Sequence, residues 1–265
     1  QLGRDRRIYS PANSTRRLRR VTQNNPARFK AEGRSEVGLH RNGNEDSALI
    51  NGVLIAVADG MGGHAAGEVA SKVAITTLAQ ILPLLNNDEM DPESLEDFLL
   101  GSLLDIDNEI AETAAANDRL SGMGTTLTAI ALYRDKAYVL HAGDSRAYRL
   151  RGKEFLQLTK DHSVVQELID SGAISESEAA THPQRSVLTN VLMGQGNITP
   201  LLIKYDLKVG DKFLICSDGL NNVVSNSEIH NVLTGPDALN KLITLTYERG
   251  APDNSRDTRV TESPY

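Results

Sequence analysis

Val53-Leu54-Ile55-Ala56-Val57-Ala58-Asp59-Gly60-Met61-Gly62-Gly63 is the stretch on which the fold turns. Six apolar residues in a row, bounded by turn formers, read as a short buried strand. A carboxylate follows at once, and then a glycine-rich tetrapeptide that allows tight backbone. Beyond it the pattern changes period. Ala70, Ala74, Leu78, Leu82 and Leu85 recur at spacings of three and four, which predicts a helix over 67–85 with Pro83 in its last turn.

Working outward, Asp91-Pro92 announces a second helix. Asp suits the N-cap because its carboxylate accepts orphan N–H groups, and Pro suits the first helical position. Its apolar stripe is Leu95, Leu99, Leu103, Ile106 and Ile110. Strands are predicted at 125–132, 137–142 and 146–150, with Gly143-Asp144-Ser145 as a hairpin turn between the last two. Residues 161–193 read as short polar helices, an inserted surface module. Another strand falls at 211–216, and two helices occupy 225–249. Hairpin strands with two long helices together in sequence favour α+β over a regular βαβ alternation. Folding is expected to begin near Ala27, and no internal repeat is visible.

Composition narrows the function classes. The chain has 265 residues with 40% hydrophobic and 24% charged, the mix of a soluble globular protein. A lone cysteine excludes an internal disulfide scaffold. No apolar run of membrane-spanning length and no signal-peptide stretch is read, so a cytoplasmic protein is expected. Tryptophan is absent and aromatics are 4%, which disfavours base stacking. The net charge of -7 conceals an asymmetry: residues 1–34 hold ten Lys and Arg against two acids, a balance of +8, leaving -15 elsewhere. Residues 1–27 therefore read as a basic, disordered arm on an acidic body. Nucleic-acid binding by the arm is the weaker reading beside a solubilising tail.

The acids of the body sit at strand ends. Asp59 follows the run 53–58, Asp218 follows 211–216 after one serine, and Asp144 follows 137–142. Asp46 closes Asn44-Glu45-Asp46, and Asp253 lies in Pro252-Asp253-Asn254 after the last helix. Strand ends are rigid, so carboxylates there can be aimed at one point. Brought together they would repel unless cations sat among them, and hard divalent ions such as Mg²⁺ or Mn²⁺ take oxygen ligands. Asp-Gly and Gly-Asp are also everyday turn dipeptides, and from placement alone both readings stand. Other chemistries lack their residues. No glycine-rich loop ends in Gly-Lys-Ser/Thr, and the position six after Cys216 is Asn222 rather than the Arg of a cysteine phosphatase. Nucleophile-elbow serine, His-Glu-x-x-His and tetrahedral zinc spacings are missing too.

Taken in order, six segments resemble the metal-dependent (type 2C) Ser/Thr protein phosphatases in their bacterial form. They are Arg41-Asn42-Gly43-Asn44-Glu45-Asp46, Ala58-Asp59-Gly60-Met61-Gly62-Gly63-His64, Gly122-Met123-Gly124-Thr125-Thr126, Gly143-Asp144-Ser145-Arg146, Cys216-Ser217-Asp218-Gly219-Leu220 and Pro252-Asp253-Asn254. The resemblance covers about residues 28–254. It implies a central sandwich of two antiparallel β-sheets flanked by helices on both faces (αββα), with a small flap subdomain at about 161–193. It also implies hydrolysis of phosphoserine and phosphothreonine in proteins by a hydroxide bridging two Mn²⁺ or Mg²⁺ ions, with a third ion in bacterial members. By motif position, Asp59 bridges the ions, the Gly60 carbonyl joins one, and Asp218 and Asp253 hold the other. Asp46, with Glu45 second to it, acts through water, and Asp144 holds the third ion with Asp218. Arg41 grips the substrate phosphate, a task for which a planar guanidinium is suited. His64 and Arg185 are lesser candidates for substrate contact, each with a loop-shaping or packing alternative. The implied partners are phosphorylated proteins, those of a Ser/Thr kinase, and a monomer is expected.

Two segments depart from the family pattern. Residues 255–265 lack the apolar alternation of its final strand, which leaves that strand missing or replaced and Asp253 loosely held. The basic arm also lies outside the pattern. The altered tail motivates a competing reading, a catalytically impaired phosphoprotein-binding or regulatory module of the same fold.

Overall fold

The structure, a computed structural model, describes residues 27–39, 43–63, 65–251, 253 and 257–262, the last segment by its backbone. In chain order the elements are β1 (Ser47–Ile50), β2 (Leu54–Ala58), β3 (Gly60–Met61), α1 (Ala65–Leu78), α2 (Leu82–Leu85), α3 (Pro92–Ala115), β4 (Gly124–Thr125), β5 (Leu127–Tyr133), β6 (Lys136–Ala142), β7 (Arg146–Arg151), β8 (Glu154–Gln157), α4 (Val164–Asp170), α5 (Glu176–Ala179), β9 (Leu202–Asp206), β10 (Lys212–Cys216), α6 (Asp218–Asn221), α7 (Asn226–Leu233), α8 (Ala238–Glu248) and β11 (Asp257–Glu262). The larger sheet has the order β1-β2-β5-β6-β9 and the smaller β11-β10-β7-β8, while β3 and β4 form a separate pair. All pairings are antiparallel.

Alternation along the strands explains the layering. Leu54, Ala56 and Ala58 of β2 face the helices and join Ala70, Leu78, Leu99 and Leu103 in one core. Ile55 and Val57 point the other way, into the space between sheets, where Ala147, Phe213 and Ile215 meet them. Tyr148, Leu150, Leu214 and Cys216 then turn outward against Ile229, Leu233 and Leu242 of α7 and α8. The result is αββα, as expected. The run 53–58 is continuously apolar because each face of β2 meets a full layer.

Helix α3 follows its sequence closely. The Asp91 carboxylate accepts the Ser94 N–H at 2.9 Å, and all five stripe residues are fully buried. Burial of such a side chain contributes about 1.5–3 kcal/mol. The helix expected over 67–85 is broken. Residues Ala79–Ile81 form a 3₁₀ turn before α2, because Pro83 lacks an N–H and its ring crowds the carbonyl of residue 79. Contrary to the expectation of no membrane-length run, Ala65–Leu85 is long and apolar enough to cross a membrane by composition. In the fold, Ala70, Ala74 and Leu78 of this stretch are buried core residues.

Two further expectations are corrected. Gly143-Asp144-Ser145 is not a hairpin turn, since β6 lies in the larger sheet and β7 in the smaller; the tripeptide steps across the sandwich. Gly143 has φ 107° and lies against Thr126, whose Cγ2 would stand 2.5 Å from any added Cβ. The Thr126 and Ser145 hydroxyls meet at 2.9 Å and hold the crossing. Nor is the closing strand missing: β11 pairs with β10 from Lys212–Glu262 to Cys216–Asp257, with a register shift between Phe213 and Ile215. Thr258, Val260 and Thr261 are β-branched and the rest mostly charged, a composition suited to a sheet edge rather than a two-faced core strand.

Candidate metal centre

The end of β2 is pinned through the peptides on both sides of Asp59. The Asp59 N–H donates to Thr126 Oγ1 at 3.0 Å. Its carbonyl accepts the Thr126 N–H at 2.9 Å and the Thr125 hydroxyl at 2.9 Å. The Gly122–Thr126 motif thus fixes the backbone that carries Asp59. Asp46 is 3% exposed; its N–H donates to Asn44 Oδ1 at 3.0 Å and its Oδ2 accepts the Ser217 hydroxyl at 2.9 Å. That bond joins the segment before β1 to the segment after β10. Asp218 opens α6 and accepts from Asn222 Nδ2 at 3.0 Å. The Asp144 carbonyl accepts from Asn221 Nδ2 at 3.3 Å. Asp253 lies beyond α8, two residues after Ala251, whose carbonyl accepts the Leu39 N–H at 3.0 Å.

Electrostatics brings these aspartates into one neighbourhood. Asp59 keeps some solvent contact, yet protein surrounds its carboxyl. Burial pushes its pKa well above the ordinary value, and Asp46, Asp218, Asp144 and Asp253 each push it further. Burial, Asp218 and Asp161 likewise raise Asp144 to about 7. Four acids from separate parts of the chain thus lie within electrostatic reach of Asp59. Among the described residues no group of three acids, histidines or cysteines stands close enough, as placed, to hold an ion; the aspartates share electrostatic reach rather than a closed cage. The donor set nevertheless fits hard divalent cations, which supply the positive charge that such a cluster lacks. The adjoining loop is built without spare room. A Cβ on Gly60 would drive into the Gly67 carbonyl, and one on Gly67 into the Glu45 carboxylate.

Of the remaining candidates, Arg41 and His64 lie outside the described residues, as do Pro252, Asn254 and residues 1–26 of the basic arm. Arg185 is exposed on the 161–193 module, where its N–H donates to the His182 carbonyl at 3.1 Å. Several residues around the centre were not singled out by sequence. Arg146 grips Asp161 through two bonds, 2.8 and 2.7 Å, tying β7 to the entry of the module. His162 accepts the Gly143 N–H at 3.3 Å, and its ring lies 4.6 Å from that of His141. Burial lowers the pKa of both imidazoles, His141 to about 3 with His162 adding to it. His141 therefore stays neutral at ordinary pH. Arg146 closes the Gly143–Arg146 segment, and Asp161 and His162 open the 161–193 module, so their position gave the signal even though a role was not assigned.

Residues 44–258 match the protein phosphatase 2C family. The chain belongs to that family. It is 42% identical over 224 residues to the serine/threonine protein phosphatase PstP of Mycobacterium tuberculosis, covering 83% of this chain but 42% of that protein, so it spans less than half the length of this relative. The Listeria monocytogenes serine/threonine phosphatase stp is 34% identical over 237 residues, 84% of this chain and 92% of its own length. Among solved structures, Mycobacterium tuberculosis PstP/Ppp superposes with a TM-score of 0.82 at 38% identity, over 90% of this chain and all of the other. The PstP catalytic domain in complex with two manganese ions gives a TM-score of 0.79 at 37% identity, over 89% and 98%. This phosphatase 2C chain thus covers nearly all of that catalytic domain.

Proposed function

We propose that this chain hydrolyses phosphoserine and phosphothreonine in proteins, the phosphorylated products of a Ser/Thr kinase, with two Mn²⁺ or Mg²⁺ ions and room for a third. What carries the reading is the placement of Asp46, Asp144, Asp218 and Asp253, from separate parts of the chain, within electrostatic reach of Asp59. The manganese-bound PstP catalytic domain, similar over nearly its full length, supports it. Asp59 and the Gly60 carbonyl would hold one ion, Asp59, Asp218 and Asp253 the other, and Asp144 with Asp218 the third. Asp46, with Glu45 beside it, would act through water. Bound divalent ions acidify water and offset phosphoryl charge.

The chain's own residues supply orientation. Thr125 and Thr126 hold the Asp59 backbone through its N–H and its carbonyl, and the Ser217 hydroxyl fixes one Asp46 oxygen. Arg41 is assigned to the substrate phosphate, where a guanidinium pairs with two oxygens. The buried lone cysteine, Cys216, fits a reducing, cytoplasmic setting. Mn²⁺-dependent release of phosphate from a phosphothreonine peptide tests the proposal, and turnover that survives thorough chelation defeats it. The competing idea of an impaired binding module rested on the altered tail, and β11 now stands where that idea needed a gap. Calorimetry separates the two, since the module would take up fewer than two ions and show no turnover.

A further inference from the structure

Asp107 is a carboxylate set into the apolar face of α3, between Leu103 and Ile110, and it is 2% exposed. Among the described residues no Lys or Arg pairs with it. Its Oδ1 accepts the N–H groups of Met193 at 2.9 Å and Gly194 at 2.7 Å, and its Oδ2 accepts that of Gly196 at 2.8 Å. These amides form the root at which the flap returns to the body. Gly194 has φ 69°, and a Cβ there would collide with the Ala111 backbone of the same helix. The residue just before the root, Leu192, exchanges two backbone bonds with Thr125, 2.9 and 3.1 Å. Thr125 in turn donates its hydroxyl to the Asp59 carbonyl at 2.9 Å. One continuous set of bonds thus runs from Asp107 through the flap root and Thr125 to the backbone of the central aspartate.

We infer that Asp107 is a positioning residue that sets the flap root and, through Leu192 and Thr125, the place of Asp59. A carboxylate is the side chain for this task. Its two oxygens carry four lone-pair sites and no hydrogen, so three converging N–H groups can be met at once, and charge makes each bond stronger than a neutral one. An amide in its place would present N–H₂ to one of those donors. The inference rests on the proposed metal centre, yet its readouts need no turnover.

The test compares wild type with D107N and with T125V by hydrogen exchange and by Mn²⁺ calorimetry. In D107N, exchange across 192–196 should quicken by about tenfold or more while β5 and β6 keep their protection, and Mn²⁺ affinity should fall several-fold. In T125V, which leaves the Asp107 bonds in place, Mn²⁺ affinity should fall with the flap root unchanged. Exchange that rises uniformly in D107N, or Mn²⁺ affinity unaltered in either variant, overturns the inference. A wild-type protein that binds Mn²⁺ but releases no phosphate would undo the proposed activity and leave this inference standing.

Discussion

The two ends of the sandwich treat charge in opposite ways. Where β2, β6 and β10 finish, Asp59 and Asp144 are pushed upward by burial and by neighbouring acids. Where β6 and β10 begin, acids come with cations: Lys136 with Asp206, Lys204 with Glu96, Arg149 with Glu154, and Arg151 with Asp211. A cavity of about 350 Å³ opens at this paired end, beside Glu96, Tyr133, Lys136 and Lys204. Room alone would point to this end rather than to the aspartates. Repulsion left standing inside a fold costs stability, and it is tolerable where cations can arrive to relieve it.

The sharpest break of this comparison is Asp59→Asn or Asp218→Asn. Turnover of a phosphothreonine peptide should fall by on the order of a hundredfold or more, and chelation should remove it altogether. Thermal stability of the metal-free variants should hold or rise, because a repelling charge is gone. At the paired end the signs reverse. Asp211 is fully buried and accepts from Arg151 at 2.6 and 2.7 Å and from the Lys208 N–H at 2.9 Å. Asp211→Ala leaves that guanidinium with its bond to the Asp206 carbonyl but no carboxylate, and should cost about 3 kcal/mol in urea unfolding, with Mn²⁺ affinity unmoved. Equal losses of metal affinity at both ends would erase the distinction.

Acid pH gives a smaller effect. In the fold His141 stays neutral down to about 3, whereas in the unfolded chain it takes a proton near 6.5. The unfolded state thus binds that proton first. The contribution is whole above about pH 6.5 and is lost as pH falls toward 3. Between pH 6.5 and 5 the loss should reach about 2 kcal/mol, and His141→Gln should flatten that slope in urea titrations. Smallest of all, Asp206→Ala removes an exposed pair with Lys136 and should change stability by less than about 1 kcal/mol.

What the sequence made visible was local. The β2 run, the Asp91 cap and the α3 stripe depend on residues near one another, and each stands where periodicity put it. Sheet membership was not visible. A glycine, an acid and a serine between two strands look alike whether the chain reverses or crosses, and only the contact with Thr126 decides. Strands β1, β8 and β9 escaped notice because they are short and partly exposed, so little apolar patterning marks them. The six motifs led to the aspartate cluster, but the bonds that orient it, Ser217 to Asp46 and Thr125 to Asp59, join residues far apart in the chain. Asp107 did leave a trace, a lone acid at the buried spacing of a stripe that is aliphatic apart from Ser102.

The crossing at Gly143-Asp144-Ser145 reaches beyond topology. Asp46 and Asp59 hang from the larger sheet, while Asp218 and Asp253 hang from the smaller and Asp144 from the link between them. Ions seated among them would act as a clasp across two slabs that otherwise adhere through side-chain packing, a few hydrogen bonds and the chain that links them. Loading the clasp should therefore stiffen the whole sandwich, by mass action on the native state, and any slippage between slabs would register first as a change in the grip on metal.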